Sequence, residues 1–440
     1  MTHGGIGRSG RKRQARVAVV TTLADGERAG GHVRVWKRIG EAFAQLEDRP
    51  VDLDLFYLSA PGSSRILCEK PADGLAIHRL PARWPSDRFS FLRTAAGGTD
   101  LAPYHPRLAR AIADADLVVA SDPYAFGRTA RRWARRTGRP LCYAMQTRHD
   151  RFTEIYAREI LDHILPGPLA GLVCDRIDLP GRLAAASRRA IARIHEEAAL
   201  VFASNEIERR ALAGRLAPQR VRLLRRGLDF HRFSPAHRDR SWLEARFGVP
   251  KSVPLLVFAG RVDASKGLPL LIETMEVLTR SDGLRTPPHL FIAGDGPWRR
   301  TARERLGESV HAPGLLDQET LARVMANGDI FVFPSRSEAA GNVVREAQAT
   351  GLPVLVPAGE GIAECIAETG RDGIVVAVDH PADWAEAVGR MLEGDADAHK
   401  RRRQAVAAAA RRRWPTWRQV FEEDLLPAWT TLIETDRKRP

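Results

Sequence analysis

The sequence predicts an α/β protein made of two doubly wound parallel sheets. Strand-like and helix-like patterns alternate along the chain, and the alternation starts again after a polar stretch near residue 232. At 440 residues the chain is also longer than one hydrophobic core usually requires, which favours two domains. Short connections between alternating strands and helices are typical of parallel sheets that helices cover on both faces.

The first half of the chain contains six strand-like segments. The first, "RVAVVTTL" at 16–23, is a continuous apolar run with β-branched residues, which is typical of a buried strand. Gly26, Gly30 and Gly31 follow it, and a helical pattern runs over 32–46. The other predicted strands are 51–58, 116–121, 140–147, 199–204 and 220–227, with an arginine-rich helix before the fourth strand.

The second half repeats this organisation after a linker at 232–241, which is polar and contains a proline. Its strand-like segments are 254–260, 289–294, 329–335 and 352–357. We therefore predict an N-terminal domain at 1–235, a C-terminal domain at 236–412 and a C-terminal helix at 413–440. Ligands of such sheets bind at the carboxyl ends of the strands, and two such domains form a cleft between them.

The C-terminal helix carries apolar side chains every three or four residues, with a break in the helix at Pro415. These side chains are Trp414, Trp417, Phe421 and Leu425. The spacing favours a helix that packs its aromatic face back on the N-terminal domain. Membrane attachment through the tryptophans is the alternative.

The net charge of +14 raises the question of an anionic partner. Of the 68 basic residues 61 are arginine and seven are lysine, and no aromatic residues interleave them as base stacking would require. The charge therefore favours anionic lipid head groups or phosphates over nucleic acid. The sequence shows no run of eighteen apolar residues and no secretory cleavage site, so we expect a cytoplasmic protein.

The four cysteines are far apart in the sequence. They are Cys68, Cys142, Cys174 and Cys365. This spacing matches neither a metal-ligand motif nor a disulfide framework, and it predicts buried free thiols in a reducing compartment.

The stretch "FAGRVDASKG" at 258–267 places two cations directly after a predicted strand. Arg261 offers a planar fork for bidentate contact with phosphate oxygens, and Lys266 adds a point charge. No other lysine lies between Lys251 and Lys400 in a chain that uses arginine almost everywhere else, which suggests a need for an ammonium group. The pair predicts a phosphate site, with a solvated loop as the alternative. A second strand-to-glycine turn, "IAGDGPW" at 292–298, is weak evidence alone.

The stretch "SEAAGNVVREAQATGLPV" places two glutamates around a predicted helix start. Gly341 and Asn342 suit the beginning of a helix that continues through Glu346, and its first N–H groups form a ready anion site. If the stretch were helical throughout, Glu338 and Glu346 would lie roughly 12 Å apart, about the span from a hexose past a diphosphate to a ribose. Either glutamate alone could be a capping or surface carboxylate, but the whole arrangement favours a ligand site.

Five ordered motifs resemble those of the family 4 retaining glycosyltransferases, whose GT-B architecture has two Rossmann-like domains facing a central cleft. The glutamate pair with the following "GLPVL" is similar to the family signature. The other motifs are "GRVDASKG" at 260–267, "GDGP" at 294–297, "RGLDFHRFSP" at 226–235 and "GGH" at 30–32. The resemblance spans nearly the whole chain.

The resemblance implies specific roles for these residues. Arg261 and Lys266 would neutralise the diphosphate of a nucleotide-sugar donor, Glu346 would hold the ribose hydroxyls, and Glu338 would bind the transferred sugar. The donor-binding residues that it implies are Gly30, Gly31, Gly260, Gly294, Gly341, Asn342, Val343 and Glu346. No metal and no cofactor is expected, because the two cations already supply positive charge and the donor loop contains no Asp-x-Asp motif.

The chain departs from the family pattern at Gln146, where relatives commonly have a histidine. Glutamine can hydrogen-bond a sugar but cannot titrate. We expect this position to act by hydrogen bonding. The alternatives are that His149 takes over the role or that activity is impaired.

The expected function is retaining transfer of a hexose from a UDP- or GDP-sugar to a hydroxyl acceptor. "QTRHDRFTEIY" and "RGLDFHRFSP" resemble a branch that includes glycosyl-diacylglycerol synthases. This similarity favours a membrane lipid or lipid-linked acceptor and a peripheral position on the inner face of the membrane. A sugar-nucleotide epimerase of the same fold and a non-catalytic nucleotide-binding protein are the alternatives.

Overall fold

The computed structural model describes most of the chain, and its described residues form two mainly parallel sheets with helices packed on them. The described residues are 13–24, 31–86, 99–145, 153, 157–158, 161, 164–280, 284–335, 341–359, 361–377 and 379–438. The predicted α/β class and the two doubly wound sheets are confirmed.

The first sheet has eight strands in the described part of the chain. They are β1 Ala15–Ala24, β2 Val51–Leu58, β3 Leu67–Ala72, β4 Leu75–Leu80, β5 Leu117–Ala120, β6 Leu141–Ala144, β7 Leu200–Ala203 and β8 Val221–Leu223. Their order is β3-β4-β2-β1-β5-β6-β7-β8; β1 pairs in parallel with β2 and β5, whereas β3 and β4 form an antiparallel hairpin. Among the described residues of this half, the helices with bounds and the π-helical turn are α1 Gly31–Ala44, α2 Pro106–Ala111, α3 Ala125–Thr137, α4 Gly167–Gly171, the turn Leu172–Arg176, α5 Leu179–Glu197 and α6 Glu206–Ala213.

The second sheet has six strands among the residues that the structure describes. They are β9 Leu255–Ala259, β10 His289–Ala293, β11 Val310–Gly314, β12 Ile330–Val332, β13 Val354–Pro357 and β14 Gly373–Val376. Their order is β11-β10-β9-β12-β13-β14, and all registered pairs are parallel. The helices of this half are α7 Arg240–Phe247, α8 Leu268–Arg280, α9 Trp298–Leu306, α10 Gln318–Asn327, α11 Asn342–Ala349, α12 Pro381–Leu392 and α13 Ala396–Arg413.

The strand order of the second sheet brings two of the predicted motifs together. From β9 the chain adds β10 and β11 on one side, and it then adds β12, β13 and β14 on the other side. The carboxyl ends of β9 and β12 therefore flank a topological switch point, where ligands of open parallel sheets bind. The loop after β9 carries the predicted cations, and the segment after β12 leads to the predicted glutamates.

The chain folds into two compact units. One comprises Met1–Ala144, Ala190–Val201 and Leu425–Pro440, and the other comprises Met145–Arg189 and Phe202–Asp424. This division does not follow the predicted boundary at residue 235, because the residues from Phe202 onward belong to the same unit as the second sheet. The domain limits 1–235, 236–412 and 413–440 stay a prediction.

The C-terminal region is helical with a break after Arg413, as its sequence predicts. The segments after the break are α14 Trp417–Gln419, a π-helical turn Val420–Leu425 and α15 Leu426–Arg437. Phe421 and Leu425 have no exposed surface, which confirms that they pack against the protein. None of the helices that the structure describes combines the length and the apolar composition that a membrane span requires.

Of the strands that the structure describes, β3 and β4, which form a hairpin, and β11 and β14 were not predicted from the sequence. β3 is exposed along almost its whole length, so no hydrophobic run marks it. Cys68 lies on this strand and is exposed, which corrects the prediction that all four free thiols are buried. The other three cysteines are buried.

Two histidines meet on neighbouring strands of the second sheet. Nδ1 of His289 on β10 lies 2.9 Å from Nε2 of His311 on β11, and the rings are stacked 5.2 Å apart. Burial lowers the pKa of both imidazoles, and the neighbouring His289 lowers that of His311 further. Both imidazoles therefore resist protonation more than a solvent-exposed histidine does.

We expect the free energy of unfolding to fall as the pH drops below 6.5, the ordinary pKa of these histidines. Their folded pKa values are lowered, so the unfolded chain takes up protons first and gains stability relative to the folded protein. Denaturant titrations at neutral and mildly acidic pH measure the loss. The double variant H289Q/H311Q removes both imidazoles and should lose less stability on acidification than the wild type, whereas equal losses would contradict the assignment.

Candidate active site

The loop after β9 is fixed by Asp263. Its carboxylate accepts hydrogen bonds from the Ser265 hydroxyl at 2.6 Å and from the Lys266 backbone N–H at 3.2 Å. A 3-10 turn runs over Ala264–Lys266, and Gly267 ends it with a left-handed φ of 76°. Aspartate and glycine suit these two capping positions, which explains why the sequence folds this way.

The two predicted cations on this loop differ in exposure. The Arg261 side chain is 43% exposed, and its Nη2 lies 3.3 Å from an Asp263 carboxylate oxygen. Lys266 is only 7% exposed, and its Nζ lies 5.9 Å from the centre of the Phe333 ring. A buried lysine is unusual, so the solvated-loop alternative does not hold for Lys266. One exposed and one buried cation thus stand at the end of β9.

The glycine turn after β10 supports this loop. Val262 N–H donates to the Asp295 carbonyl at 3.0 Å, and Trp298 N–H donates to the Val262 carbonyl at 3.1 Å. Gly294 has φ 154°, and a Cβ at this position would lie 1.8 Å from the carbonyl oxygen of Gly260. Gly294 is therefore required for the close approach of the two turns. Contact of Gly260 and Gly294 with a donor stays a prediction.

The β9 loop also packs against the segment that follows β12. A Cβ on Gly267 would lie 2.4 Å from the Pro334 carbonyl oxygen, so the two backbones touch at this point. Phe333, the neighbour of Pro334, is also the ring beside Lys266. The structure therefore brings together the cation loop and the start of the segment that leads to Glu338.

The N-terminus of α11 lies at the end of this segment. Gly341 precedes the helix with φ 61° and ψ 40°, and among the described residues no side-chain cap is found at this N-terminus. Inside the helix, the first bonds run from Val344 and Arg345 N–H to the Gly341 carbonyl, so the N–H groups of Asn342 and Val343 come before the helical ladder. The side-chain oxygen of Asn342 is buried without a hydrogen-bond partner among the described residues. The N-terminus of α11, with these two backbone N–H groups, can bind an anion.

Glu346 is half-buried and lies one helical turn after Asn342. Residues four apart share a helix face, so the Glu346 side chain projects from the same face as Asn342. The predicted helix from Gly341 and Asn342 onward is confirmed, but it does not extend back to Glu338, because Gly341 is left-handed. The estimate of roughly 12 Å for a continuous helix therefore does not apply to the two glutamates.

Two buried arginines near these elements were not singled out from the sequence. Arg226 is 2% exposed and donates to the carbonyls of Leu224 at 3.2 Å and Met145 at 3.4 Å. Arg345 is 6% exposed, and its guanidinium carbon lies 4.4 Å from the centre of the Trp414 ring. Burial, together with the charge of Arg345, lowers the pKa of Arg226 to about 9. Both lie inside motifs that resemble the family pattern, since Arg226 begins "RGLDFHRFSP" and Arg345 directly precedes Glu346, but in a chain with 61 arginines these motifs do not indicate that the two side chains are buried.

Several predicted site residues cannot be placed in this geometry. Gln146, His149, Glu338 and Gly30 lie outside the described residues. Gly31 is the first residue of α1. Arg226 holds the carbonyl of Met145, which is the residue directly before Gln146. Within the described part of the chain, no group of three or more His, Cys, Asp or Glu side chains could hold a metal ion.

Comparison with known families supports the resemblance of the five motifs to those of glycosyltransferases. The model of the family described as "Glycosyl transferases group 1" matches residues 253–394. This range begins before β9 and extends beyond α12, so it includes the cation loop, the glycine turn and α11. The predicted donor-binding residues on these elements therefore all lie inside the matched region.

Two curated relatives are D-inositol 3-phosphate glycosyltransferases. That of Nocardioides sp. is 32% identical over 250 residues, which cover 52% of this chain and 53% of the relative. That of Catenulispora acidiphila is 28% identical over 443 residues, which cover 97% of this chain and 98% of the relative. The chain thus spans about half of the first relative and nearly all of the second.

Solved structures share the fold over nearly the whole chain. Sucrose-phosphate synthase from Thermosynechococcus elongatus has a TM-score of 0.66 at 18% identity, over 96% of this chain and all of that chain. HepE from Anabaena, in complex with UDP-glucose, has a TM-score of 0.62 at 16% identity, over 96% of this chain and all of that chain. The two-sheet architecture is therefore the GT-B fold.

Proposed function

We propose that this chain is a member of the glycosyl transferases group 1 family and a retaining hexosyltransferase that uses a nucleotide-diphosphate sugar. The observation that carries the proposal is the convergence of two loops at one switch point of the second sheet. Arg261 and Lys266 come from the loop after β9, and the N-terminus of α11, which begins after the left-handed Gly341, follows β12. Both offer positive charge or free N–H groups to an anion.

The site suits the departure of a nucleoside diphosphate. As the bond between the sugar and the phosphate breaks, negative charge grows on the diphosphate and positive charge on the sugar. Arg261 and Lys266 would stabilise the diphosphate, and preorganised charges of this kind are often the largest catalytic contribution. Glu346 would hold the ribose hydroxyls one turn along α11, and Glu338 would bind the transferred sugar.

No protein base is obligatory in this proposal. In a front-face retaining reaction the departing phosphate oxygen accepts the proton of the acceptor hydroxyl, while the acceptor oxygen bonds to the anomeric carbon on the same face. Glu338 is then a sugar ligand and not a nucleophile that works with a second acid, as in a retaining hydrolase. Gln146 contributes a hydrogen bond, which is consistent with the absence of a titrating group at that position.

The proposed donor is a UDP- or GDP-hexose. The structure of HepE with UDP-glucose supports a uridine nucleotide as the first candidate. The proposal needs neither a metal ion nor a cofactor, because Arg261 and Lys266 provide the positive charge.

The proposed acceptor is a hydroxyl of a membrane lipid or a lipid-linked glycan, reached from the inner face of the membrane. The chain's net charge of +14 supports contact with anionic head groups. A phosphorylated polyol is the second candidate, because both curated relatives are named for D-inositol 3-phosphate. Transfer assays with a lipid acceptor and with inositol phosphate distinguish the two.

A thermal-shift screen of UDP-, GDP- and ADP-hexoses tests the donor assignment. We expect one nucleotide class to raise the melting temperature selectively, because a ligand at about 100 times its Kd stabilises the folded state by about 2.7 kcal/mol.

Glu346→Ala should weaken binding of the donor found in this screen by about 10- to 100-fold, which is the usual effect of losing a charged hydrogen bond. Glu386→Ala, an exposed glutamate on α12, is the matched control and should bind normally.

The same screen separates the alternative functions. If no sugar nucleotide shifts the melting temperature, the proposed function is wrong. An epimerase would convert the donor into a new sugar nucleotide when no acceptor is present. A non-catalytic binding protein would show the shift but leave the donor unchanged with either acceptor.

A further inference from the structure

Exposed aliphatic side chains are concentrated in one short segment of the chain. Among the described residues, ten large hydrophobic side chains are exposed, and five of them lie between residues 164 and 183. These five are Ile164, Leu169, Leu172, Ile177 and Leu183, each 42% to 50% exposed. We call these five residues the aliphatic surface. Single exposed aliphatic residues are ordinary, but such clusters mark interaction sites.

The helical geometry of the segment separates an inner side from an outer side. Helix α4 continues directly into the π-helical turn Leu172–Arg176. Ala170 and Cys174, four residues apart, are buried at 5% and 4% exposure. Leu169 and Leu172, three apart, therefore project together from the opposite, exposed side. The segment already contacts the protein through its inner side, so the outer side is available to a partner.

Positive charge accompanies the aliphatic surface. Arg176, Arg182, Arg188 and Arg189 are exposed in the same stretch. Within the described part of the chain, no carboxylate forms an ion pair with Arg176, Arg182 or Arg188. The acidic residues within 164–189 have other contacts: Asp175 pairs with Arg158 at 2.6 Å, and Asp178 accepts from the Gly181 N–H at 3.1 Å.

We propose that the aliphatic surface and its arginines dock on the anionic face of a lipid bilayer. The aliphatic side chains would enter the boundary between head groups and acyl chains, and the arginines would contact lipid phosphates. This inference rests on the proposed function, because a lipid-linked acceptor requires the protein to work at a membrane.

The composition of the segment favours lipid over a second copy of the chain as the partner. Residues 164–189 contain no aromatic residue and no methionine, which are the residue types that protein interfaces favour.

Vesicle sedimentation with the full chain tests this docking surface. We expect binding to phosphatidylcholine vesicles that contain phosphatidylglycerol, weaker binding to phosphatidylcholine alone, and a loss of binding at high salt. The variants L169Q/L172Q and R182Q/R188Q should each reduce binding by about tenfold or more. Leu315→Gln, which changes an aliphatic residue exposed at 56% elsewhere in the chain, should bind like the wild type.

Three results would overturn the proposal. These are an absence of binding to both kinds of vesicle, unchanged binding by L169Q/L172Q, and a dimer in light scattering that this variant converts to a monomer. Thermal shift with the sugar nucleotide is measured on the same variants and should equal that of the wild type. A normal donor shift without vesicle binding rejects the docking surface alone, whereas vesicle binding without any donor shift rejects the proposed transferase.

Discussion

Lys266→Gln is expected to lower the turnover of the nucleotide-sugar donor by about 100- to 1,000-fold, the usual cost of removing one preorganised group that stabilises transition-state charge. The variant keeps a polar side chain of similar length beside Phe333 but removes the positive charge. Binding of the nucleoside diphosphate should also weaken by about 10- to 100-fold. Release of nucleoside diphosphate measures turnover, and calorimetric titration measures binding.

Two comparison variants make this result specific. Lys251→Gln changes an exposed lysine that pairs with Glu244 at 3.2 Å, and it should retain wild-type turnover. Lys266→Arg keeps the charge and should retain more activity than Lys266→Gln, although the larger guanidinium does not fit the buried position equally well. A folded Lys266→Gln protein with normal turnover and normal diphosphate affinity would show that Lys266 has a structural role only.

The sequence predicts the strands that position the site because these strands have strong local signals. β9, β10 and β12 are short apolar runs followed by glycine or proline, the pattern of buried parallel strands. The start of α11 is equally local, since Gly341 supplies the left-handed residue and Asn342 begins the helix. The switch point could be inferred as well, because alternating strands and helices constrain the topology.

Other features depend on contacts between distant residues, and no local pattern reports them. The burial of Lys266 depends on Phe333, which lies 67 positions further along the chain. Arg226 and Arg345 are likewise distant in sequence and become neighbours only in the folded chain. The β3–β4 hairpin is a different case, because an Asp73-Gly74 pair marks its turn and could have revealed it. The strand β3 itself could not be recognised from the sequence, because it is exposed and contains a proline.

Gly294→Ala is expected to destabilise the second sheet by more than about 4 kcal/mol, at the upper end of single-substitution effects. The new Cβ would lie 1.8 Å from the Gly260 carbonyl oxygen, and φ 154° is a conformation that alanine rarely adopts. Relief of this clash requires the two turns to separate. Separation breaks the bonds from Gly260 N–H to the Ala293 carbonyl and from Val262 N–H to the Asp295 carbonyl, both 3.0 Å long. Denaturant unfolding of the purified variant measures the loss.

Gly389→Ala is the matched control for this effect. Gly389 lies inside α12, and a Cβ at this position would meet nothing within 4 Å. Alanine should therefore stabilise the protein by about 0.5 to 1 kcal/mol, because glycine is a poor helix former. Since Arg261 lies on the β9 loop, which packs against the glycine turn that contains Gly294, Gly294→Ala should also reduce donor affinity in the protein that stays folded. If Gly294→Ala keeps wild-type stability and donor affinity, the two turns do not interlock as described. The glycine turn then does not hold Arg261 in position.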